Sequence, residues 1–263
     1  MAHKTLIDGT AYEITGGKTL VGGTAYGISG GKTLVGGTAY DISFSDVDPV
    51  FANNDWAAII AACQSGSVPE TWAVGDNKTM TIDGSNYQID IIGKNHDTYS
   101  DNSGTAPLTF QMQKCLVDTK KMNSSSTNSG GWTSCVMRNT HLPAILATMP
   151  TEVQNGIKEV SKLTSAGGGS STINTTADKL FLLSEIEIFG NITNSKSGEG
   201  SQYAYYAAGN SKVKRVRNEN ADWWERSPHS SSLSGRFCAV NTSGRAEMAS
   251  ACTSCGVAFA FCF

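Results

Sequence analysis

The sequence predicts an α+β protein in which three short β-hairpins precede a larger domain of mixed helices and strands. The first observation is a 14-residue repeat within positions 1–44. The second is that positions 45–263 combine alternating β-type segments with segments of helical periodicity. Because 263 residues suffice for one large domain with an appendage, we expect repeats at 1–44, one domain at 45–263 and a boundary near 46–49.

The repeat occupies residues 4–12, 18–26 and 32–40. Each copy places an Asp-Gly or Gly-Gly pair between two β-type runs, which is typical of a two-residue hairpin turn with positive φ angles. A single hairpin is marginally stable in water, so the copies must stack on each other, on the main domain or on other chains. They are either a linker or an element for self-association or attachment to a larger assembly. Residues 78–89 form a looser fourth copy and are expected to begin the sheet of the main domain.

The first elements of the main domain are predicted from local signals. Asn54 or Asp55 is expected to cap a short helix that ends near Gly66. Strands are expected at 78–81 and 87–92, where β-type residues recur.

Two helices are expected in the middle of the domain. Residues 142–148 form the first, which ends before Pro150. Thr151 and Gln154 have the spacing of a capping box at the start of the second. The expected apolar face of this second helix comprises Val153, Ile157 and Val160.

The remaining elements are predicted from composition and apolar runs. Residues 97–107 and 123–131 are expected to be polar loops, and 165–176 a flexible loop. The apolar run 180–183 predicts a buried strand, and Ser184 with Glu187 fits a helix cap. Residues 257–263 have no polar face and are therefore expected to form a central strand.

Composition excludes several classes of function. Charged residues are only 16% of the chain and the net charge is −3, so there is no basic footprint for nucleic acid. No apolar run approaches the roughly 20 residues of a membrane helix. The first residues are polar rather than apolar, and we therefore expect no secretory signal. A surface rich in Ser, Thr, Asn and Gly suits a structural or adhesive protein made in a cytoplasm.

The candidate chemical motifs are weak. The chain has seven cysteines, an odd number that cannot all pair within one chain. We expect free thiols, several of them buried. Cys252 and Cys255 have the spacing of a redox pair or half a zinc site, but they precede a strand, and the four histidines are scattered. His96 with Asp97 lacks a nucleophile motif. The sequence therefore predicts no catalytic residue, no metal site and no cofactor.

Trp223 and Trp224 form the most distinctive segment together with Arg226. Adjacent tryptophans either anchor a loop-rich core or offer flat surfaces to sugar rings and protein partners. We favour the first interpretation, in which these three residues form a scaffold and Arg226 pairs with a carboxylate.

An ordered series of motifs spans residues 54–263. It comprises 91–97, 109–111, 130–132, 137–138, 178–185, 187–190, 199–200, 202–203, 223–228 and 256–257. In this order the motifs resemble a family of phage and prophage domains with a C-type-lectin-like fold, related to the formylglycine-generating-enzyme fold. Glu225, where that family usually has an aliphatic residue, and Ala258-Phe259, where Arg-Pro is common, depart from the pattern.

The same layout resembles the variable proteins of diversity-generating retroelements. In those proteins a C-terminal stretch on such a scaffold is rewritten by adenine-directed mutagenesis. The resemblance implies a variable region within 223–263, and residues 229–255 have the expected mixture of Ser, Ala, Thr and Asn. The alternative is an ordinary polar surface loop.

This resemblance implies a phage or prophage tail protein that binds a host-surface protein or glycan through exposed residues of 229–254. The expected ligand-binding residues are His229, Ser230, Ser231, Ser232, Leu233, Arg236, Asn241, Arg245, Glu247, Met248, Ser250, Cys252 and Thr253. The repeats would attach the protein to other tail proteins or assemble it into a homo-oligomer such as a trimer. It would be made in the bacterial cytoplasm and act outside the cell on the virion. Relatives of this fold can bind calcium, but no series of alternating carboxylates predicts a site here.

Two other functions stay open at this stage. One is an enzyme of the same fold that uses Cys252 and Cys255. The other is a structural virion protein without a receptor.

Overall fold

Two compact units make up the chain, Met1–Pro49 and Val50–Phe263. The computed structural model describes residues 47–231 and 235–263 throughout and, before residue 47, the backbone of six short strands. The division falls at the end of the segment 46–49 in which the sequence places the boundary.

Each of the three repeats forms one antiparallel strand pair. The pairs are β1 (Lys4–Ile7) with β2 (Thr10–Glu13), β3 (Lys18–Val21) with β4 (Thr24–Gly27), and β5 (Gly31–Val35) with β6 (Thr38–Ile42). The register repeats as well, because Thr5 pairs with Tyr12 and Thr19 with Tyr26. The predicted strand pairing is confirmed, whereas the Asp-Gly and Gly-Gly turns lie outside the described residues.

The larger unit begins with helix α1 (Trp56–Ser65), after a 3₁₀ turn at Phe51–Asn53. Asp55 caps α1 by accepting a 2.7 Å hydrogen bond from the Ala58 N–H. Gly66 ends it with a φ of 69°, a left-handed conformation that glycine adopts without steric cost. Both predicted ends of this helix are confirmed.

A four-stranded antiparallel sheet follows, in the order β17–β9–β8–β7. Its strands are β7 (Asn77–Ile82), β8 (Ser85–Lys94), β9 (Leu108–Met112) and β17 (Ala260–Cys262). Asp83 and Gly84 join β7 to β8 with φ angles of 48° and 70°, as a two-residue hairpin requires. The looser fourth copy of the repeat therefore begins this sheet, as predicted.

The helical segment in the middle of the unit differs from its prediction. It comprises α2 (Gly131–Ser134), a π-helical turn (Met137–His141), α3 (Leu142–Leu146) and α4 (Thr151–Gly156). The capping box is wrong, because Thr151 is already helical and the Gln154 side chain donates to the Met149 carbonyl at 2.7 Å. The predicted face is also wrong: α4 ends at Gly156, and Val160 begins a strand.

A hairpin replaces part of the predicted flexible loop at 165–176. Strands β10 (Val160–Ser165) and β11 (Ile173–Asp178) pair along their whole length. The segment has few aliphatic residues, but β-branched threonines favour strands, and Thr176 and Asp178 point into the interior. Composition alone therefore gave the wrong structure for residues 173–176.

The last third of the chain contains α5 (Glu185–Phe189), α6 (Ala204–Ala207), β12 (Lys214–Val216) and β13 (Glu219–Ala221). The predicted cap of α5 is confirmed, since Ser184 and Glu187 form a reciprocal capping box. A three-stranded antiparallel sheet follows, in the order β14 (Trp223–Pro228), β15 (Arg236–Val240) and β16 (Ala246–Ser250).

The C-terminal segment is buried, but it is not a central strand of the large sheet. Only Ala260–Cys262 is a strand, and it pairs with β9 on one side. On its other side Phe181 and Lys158 form isolated bridges to Ala260 and Cys262. The run 180–183 is buried as predicted, yet this single bridge is its only strand pairing among the described residues.

An aromatic cluster fills the space between α1 and the four-stranded sheet. Phe110 stacks on Phe51 and Phe261 with ring centroids 6.1 and 5.4 Å apart, and Trp56 meets its edge at 5.9 Å. The structure is therefore a mixed α+β protein with a substantial core. In its described part, no helix has the length and apolar character needed to cross a membrane.

Candidate ligand-binding face

The two adjacent tryptophans anchor β14 in the interior. Both side chains are fully buried. The indole N–H of Trp223 donates to the Lys212 carbonyl at 2.9 Å, and that of Trp224 donates to the Lys120 carbonyl at 2.8 Å. Neither ring is available to a sugar or a protein partner, so their arrangement is that of a scaffold.

Arg226 ties β14 to three other parts of the domain. Its buried guanidinium forms a two-armed ion pair with Glu187, at 2.5 and 2.9 Å, and donates to the carbonyls of Leu182 and Glu199 at 2.9 and 2.8 Å. Burial would lower the pKa of Arg226, but the Glu187 carboxylate raises it above its ordinary value. A paired arginine of this kind stays charged and fixes geometry through its planar donors.

A second buried cation extends the same network. The Lys162 ammonium lies 2.7 Å from an Asp97 oxygen and 2.8 Å from a Glu187 oxygen. Burial opposes ionisation of Asp97, but the Lys162 cation outweighs it and lowers the pKa to about 2. Burial likewise opposes ionisation of Glu187, but the cations Arg226 and Lys162 outweigh it and lower the pKa of this carboxyl.

His96, Asp97 and Glu187 are the one described group with metal-ligand geometry, their donor atoms lying within 4.8 Å of one another. The Lys162 ammonium bonds to both carboxylates of this group. The positive charge that a metal ion would bring is therefore already supplied by a side chain. We interpret the group as part of the structural network.

Strand β15 shows that residues 229–255 are not a surface segment throughout. Phe237, Cys238, Ala239 and Val240 are all fully buried, and they pair with β14 on one side and β16 on the other. The middle of the predicted binding segment thus belongs to the core. The sequence signal was a short apolar run of four residues, which we did not read as a strand.

The expectation that His229 is exposed is wrong. It is only 9% exposed, and its backbone N–H donates to the Arg236 carbonyl at 3.1 Å, which continues the pairing of β14 with β15. Its ring Nδ1 lies 2.9 Å from the Ser231 hydroxyl. Burial lowers the pKa of His229. His229 is therefore part of the packed sheet rather than an exposed contact residue.

The other predicted binding residues lie on β15 and β16, in the turn between them, or just after β14 and β16. Four are exposed: Arg236, Arg245, Glu247 and Thr253. Six are half-buried: Ser230, Ser231, Asn241, Met248, Ser250 and Cys252. Ser232 and Leu233 lie outside the described residues. We call the four exposed residues together with Met248, Ser250 and Cys252 the candidate face. Because β16 is an edge strand, this face presents side chains from both sides of the sheet, with Arg236, Met248 and Ser250 on one side and Glu247 on the other.

Asn241 shapes the turn between β15 and β16. Its side-chain oxygen accepts from the N–H groups of Ser243 and Arg245 at 3.0 Å, and its own N–H donates to the Arg245 carbonyl at 2.9 Å. Gly244 completes the turn with a φ of 76°. Asn241 is consequently a turn residue that fixes where Arg245 emerges.

Two polar residues beside the candidate face were missed by sequence reasoning. The Ser126 hydroxyl lies 2.9 Å from that of Ser250, and Asn128 donates to the Arg236 carbonyl at 2.8 Å. Both come from the predicted polar loop at 123–131. Nothing in that loop's sequence signals its contact with a strand more than a hundred residues later.

The cysteines do not form an activated pair. All seven are free, six are buried and Cys252 is half-buried, which confirms the expectation of free thiols. Burial raises the pKa of Cys255 to about 12, and a reactive thiol needs a lowered one. The Cys255 backbone pairs with Lys120 in an isolated bridge, so this residue serves to hold the C-terminal segment in place.

These observations define a mixed α+β domain whose polar strand edge is carried by a buried aromatic and ion-pair scaffold. Residues 108–263 match the family described as a domain of unknown function, DUF6273. This match covers more than half of the chain, which therefore belongs to that family. No curated protein and no solved structure matches the chain significantly.

Proposed function

We propose that this protein is a phage or prophage tail protein that binds a host-surface protein or glycan through the candidate face. The observation that carries the proposal is the contrast within one sheet: every residue of β14 is buried, whereas none of β16 is. Polar side chains on a rigid framework are typical of binding surfaces. Binding would be adhesive, without covalent chemistry.

The proposed fold of residues 45–263 is C-type-lectin-like. Support comes from the order of the motifs and from the mixed α+β architecture, in which small sheets and short helices surround a core. Within this fold we propose that the exposed positions of 229–254 are diversified. Such positions tolerate many side chains because they make few core contacts.

The strand pairs at 1–44 are proposed to attach the protein to other tail proteins or to assemble several copies, such as a trimer. Several copies on one virion would raise the overall affinity, so that each face can bind weakly. The protein would be made in the host cytoplasm and act outside the cell as part of the virion.

The test is binding of the purified full chain to host cells. A triple variant, Arg236→Ala, Arg245→Ala and Glu247→Ala, should lose at least tenfold in apparent affinity, about 1.4 kcal/mol. The matched control removes two cations and one anion at exposed positions elsewhere, through Lys114→Ala, Lys158→Ala and Glu70→Ala. Equal binding by both variants would contradict the assignment of the face. Absence of binding by the unmodified chain would favour a structural virion protein.

A further inference from the structure

Among the buried polar side chains that the structure describes, Glu225 is the exception in its hydrogen bonding. Both of its side-chain oxygens are buried without a hydrogen-bond partner, and among residues 47–231 and 235–263 no other side chain has this property. Its exposed fraction is 0%. An isolated buried carboxylate is strongly disfavoured, so the protein must either bring a partner to Glu225 or keep it uncharged.

The charged groups around Glu225 provide no partner. On α5, the Glu185 carboxylate accepts from Asn194 and Ser195, and Glu187 is occupied by Arg226 and Lys162. Glu199 accepts from the Ser165 N–H and from the Ser227 hydroxyl. The donors that these neighbouring carboxylates use are thus already engaged, and none of them bonds to Glu225.

Burial raises the pKa of the Glu225 carboxyl well above its ordinary value. Glu185 and Glu199 raise it further, Arg226 lowers it, and Glu187 raises it. From β15 the facing group is the buried thiol of Cys238, whose own pKa is raised. Glu225 therefore holds a proton under conditions in which an exposed glutamate has lost it.

The backbone at Glu225 is where β14 and β15 are least connected. Trp224 pairs with Ala239 and Pro228 pairs with Phe237, so three residues of β14 lie opposite Cys238 alone. Such a bulge interrupts the hydrogen-bond ladder. In this stretch the Arg226 N–H turns away from β15 and donates to the Leu183 carbonyl.

We propose that Glu225 is a buried proton-binding site that controls the attachment of the β15–β16 hairpin to β14. With the proton bound, the bulge closes over a neutral side chain. When the proton leaves, the charge can be hydrated only if β15 separates from β14, and the hairpin opens. The effect of this opening on ligand binding rests on the proposed function, but the opening itself does not.

The sign and size of the effect follow from linkage. The closed state binds the proton more tightly, so the opening equilibrium constant rises with pH by up to tenfold per unit between the ordinary and the raised pKa. Other groups change their protonation at other pH values. Burial raises the pKa of Glu199 to about 6, so its effect on stability is confined to lower pH. Burial lowers the pKa values of three histidines, which are His96, His141 and His229. Burial lowers the pKa of Lys214 to about 8, and Lys214 acts above that pH with the opposite sign. The interval from pH 6.5 to 7.5 therefore lies above the range of Glu199 and below that of Lys214, and variants of Glu225 identify the group that is responsible.

The experiment is amide hydrogen exchange of the full chain at pH 6.5 and 7.5, corrected for the intrinsic pH dependence of exchange. Residues 236–250 should show an opening constant several-fold to tenfold larger at pH 7.5, while β8 and β9 serve as the internal reference. Glu225→Gln should abolish this difference, and Glu225→Leu provides a second non-ionisable variant. Glu219→Gln, which changes an exposed glutamate on β13 outside the candidate face, should leave it unchanged.

Three results would overturn the proposal. They are a pH-independent opening in the unmodified chain, an unaltered pH dependence in Glu225→Gln, and an equal change across the reference strands. The measurement involves no ligand. A failure of host-cell binding therefore leaves its result intact, and the two proposals can fail separately.

Discussion

Strands β14 and β16 belong to the same three-stranded sheet, but their side chains lie in different environments, the interior for β14 and the surface for β16. β14 is buried along its length and carries two tryptophans and an arginine whose polar atoms all find partners in other segments. Apart from Met248, β16 has small or polar side chains, and none of its residues is fully buried. Position in the sheet thus separates side chains that determine the fold from side chains that stay accessible to solvent.

The strongest way to sharpen this comparison is to remove Arg226. Arg226→Ala leaves the buried Glu187 carboxylate with Lys162 as its one cationic partner, and breaking such a pair costs about 3–5 kcal/mol. Denaturant unfolding should reveal this loss. The matched exposed variant, Arg245→Ala, should change the free energy of unfolding by no more than about 0.5 kcal/mol. Similar losses in both variants would contradict the division between scaffold and face.

Glu225 also lies on the buried strand β14, but here we expect a substitution to stabilise the protein rather than destabilise it. Glu225→Leu removes the unsatisfied polar group and should stabilise the protein by roughly 1–3 kcal/mol at neutral pH. The gain should be larger at pH 7.5 than at pH 5, because the raised pKa of the native carboxyl makes stability fall as pH rises. If Glu225→Leu instead lowers the free energy of unfolding by the same amount at pH 5 and pH 7.5, the native carboxyl has a stabilising partner.

Acid weakens the scaffold through Asp97. Although burial opposes its ionisation, Lys162 lowers the pKa of Asp97 from 3.8 to about 2. Its contribution, about 2 kcal/mol, is complete above the ordinary value and is lost as pH falls through 2. Unfolding measured from pH 5 to pH 2 should show this loss, with a shallower dependence in Asp97→Asn. An equally steep dependence in that variant would assign the loss to other carboxylates.

The smallest effect is expected on β16. Glu247→Ala should change the free energy of unfolding by at most about 0.5 kcal/mol, since this side chain is exposed. Thermal unfolding at pH 7 measures it. A loss of several kcal/mol would mean that β16 is part of the scaffold.

The same contrast explains which features the sequence could predict. The cap at Asp55 and the capping box of Ser184 with Glu187 are local, since donor and acceptor lie three residues apart. The contact of Lys162 with Asp97 joins residues 65 positions apart, and no local pattern indicates it. Spacing along the sequence therefore predicted helix ends and the hairpin at β7–β8. The partners of buried charged groups could be identified only from the folded structure.

At the candidate site the sequence predicted the segment better than its individual residues. Arg236, Arg245, Glu247 and Thr253 are exposed as expected, but His229 is buried because the strand pairing extends beyond Pro228. The run 237–240 is short and apolar, and its burial on both sides depends on neighbours that lie far away in the chain.

We propose the outer part of this sheet as a ligand-binding face whose residues can change while the scaffold stays fixed. Its most direct test is deep sequencing of the 3′ end of the gene across a natural population. We expect substitutions that derive from adenines at the codons of Arg236, Arg245, Glu247 and Thr253. The codons for 223–228, 237–240 and 256–263 should remain unchanged. Sparse variation spread evenly over buried and exposed codons would contradict it.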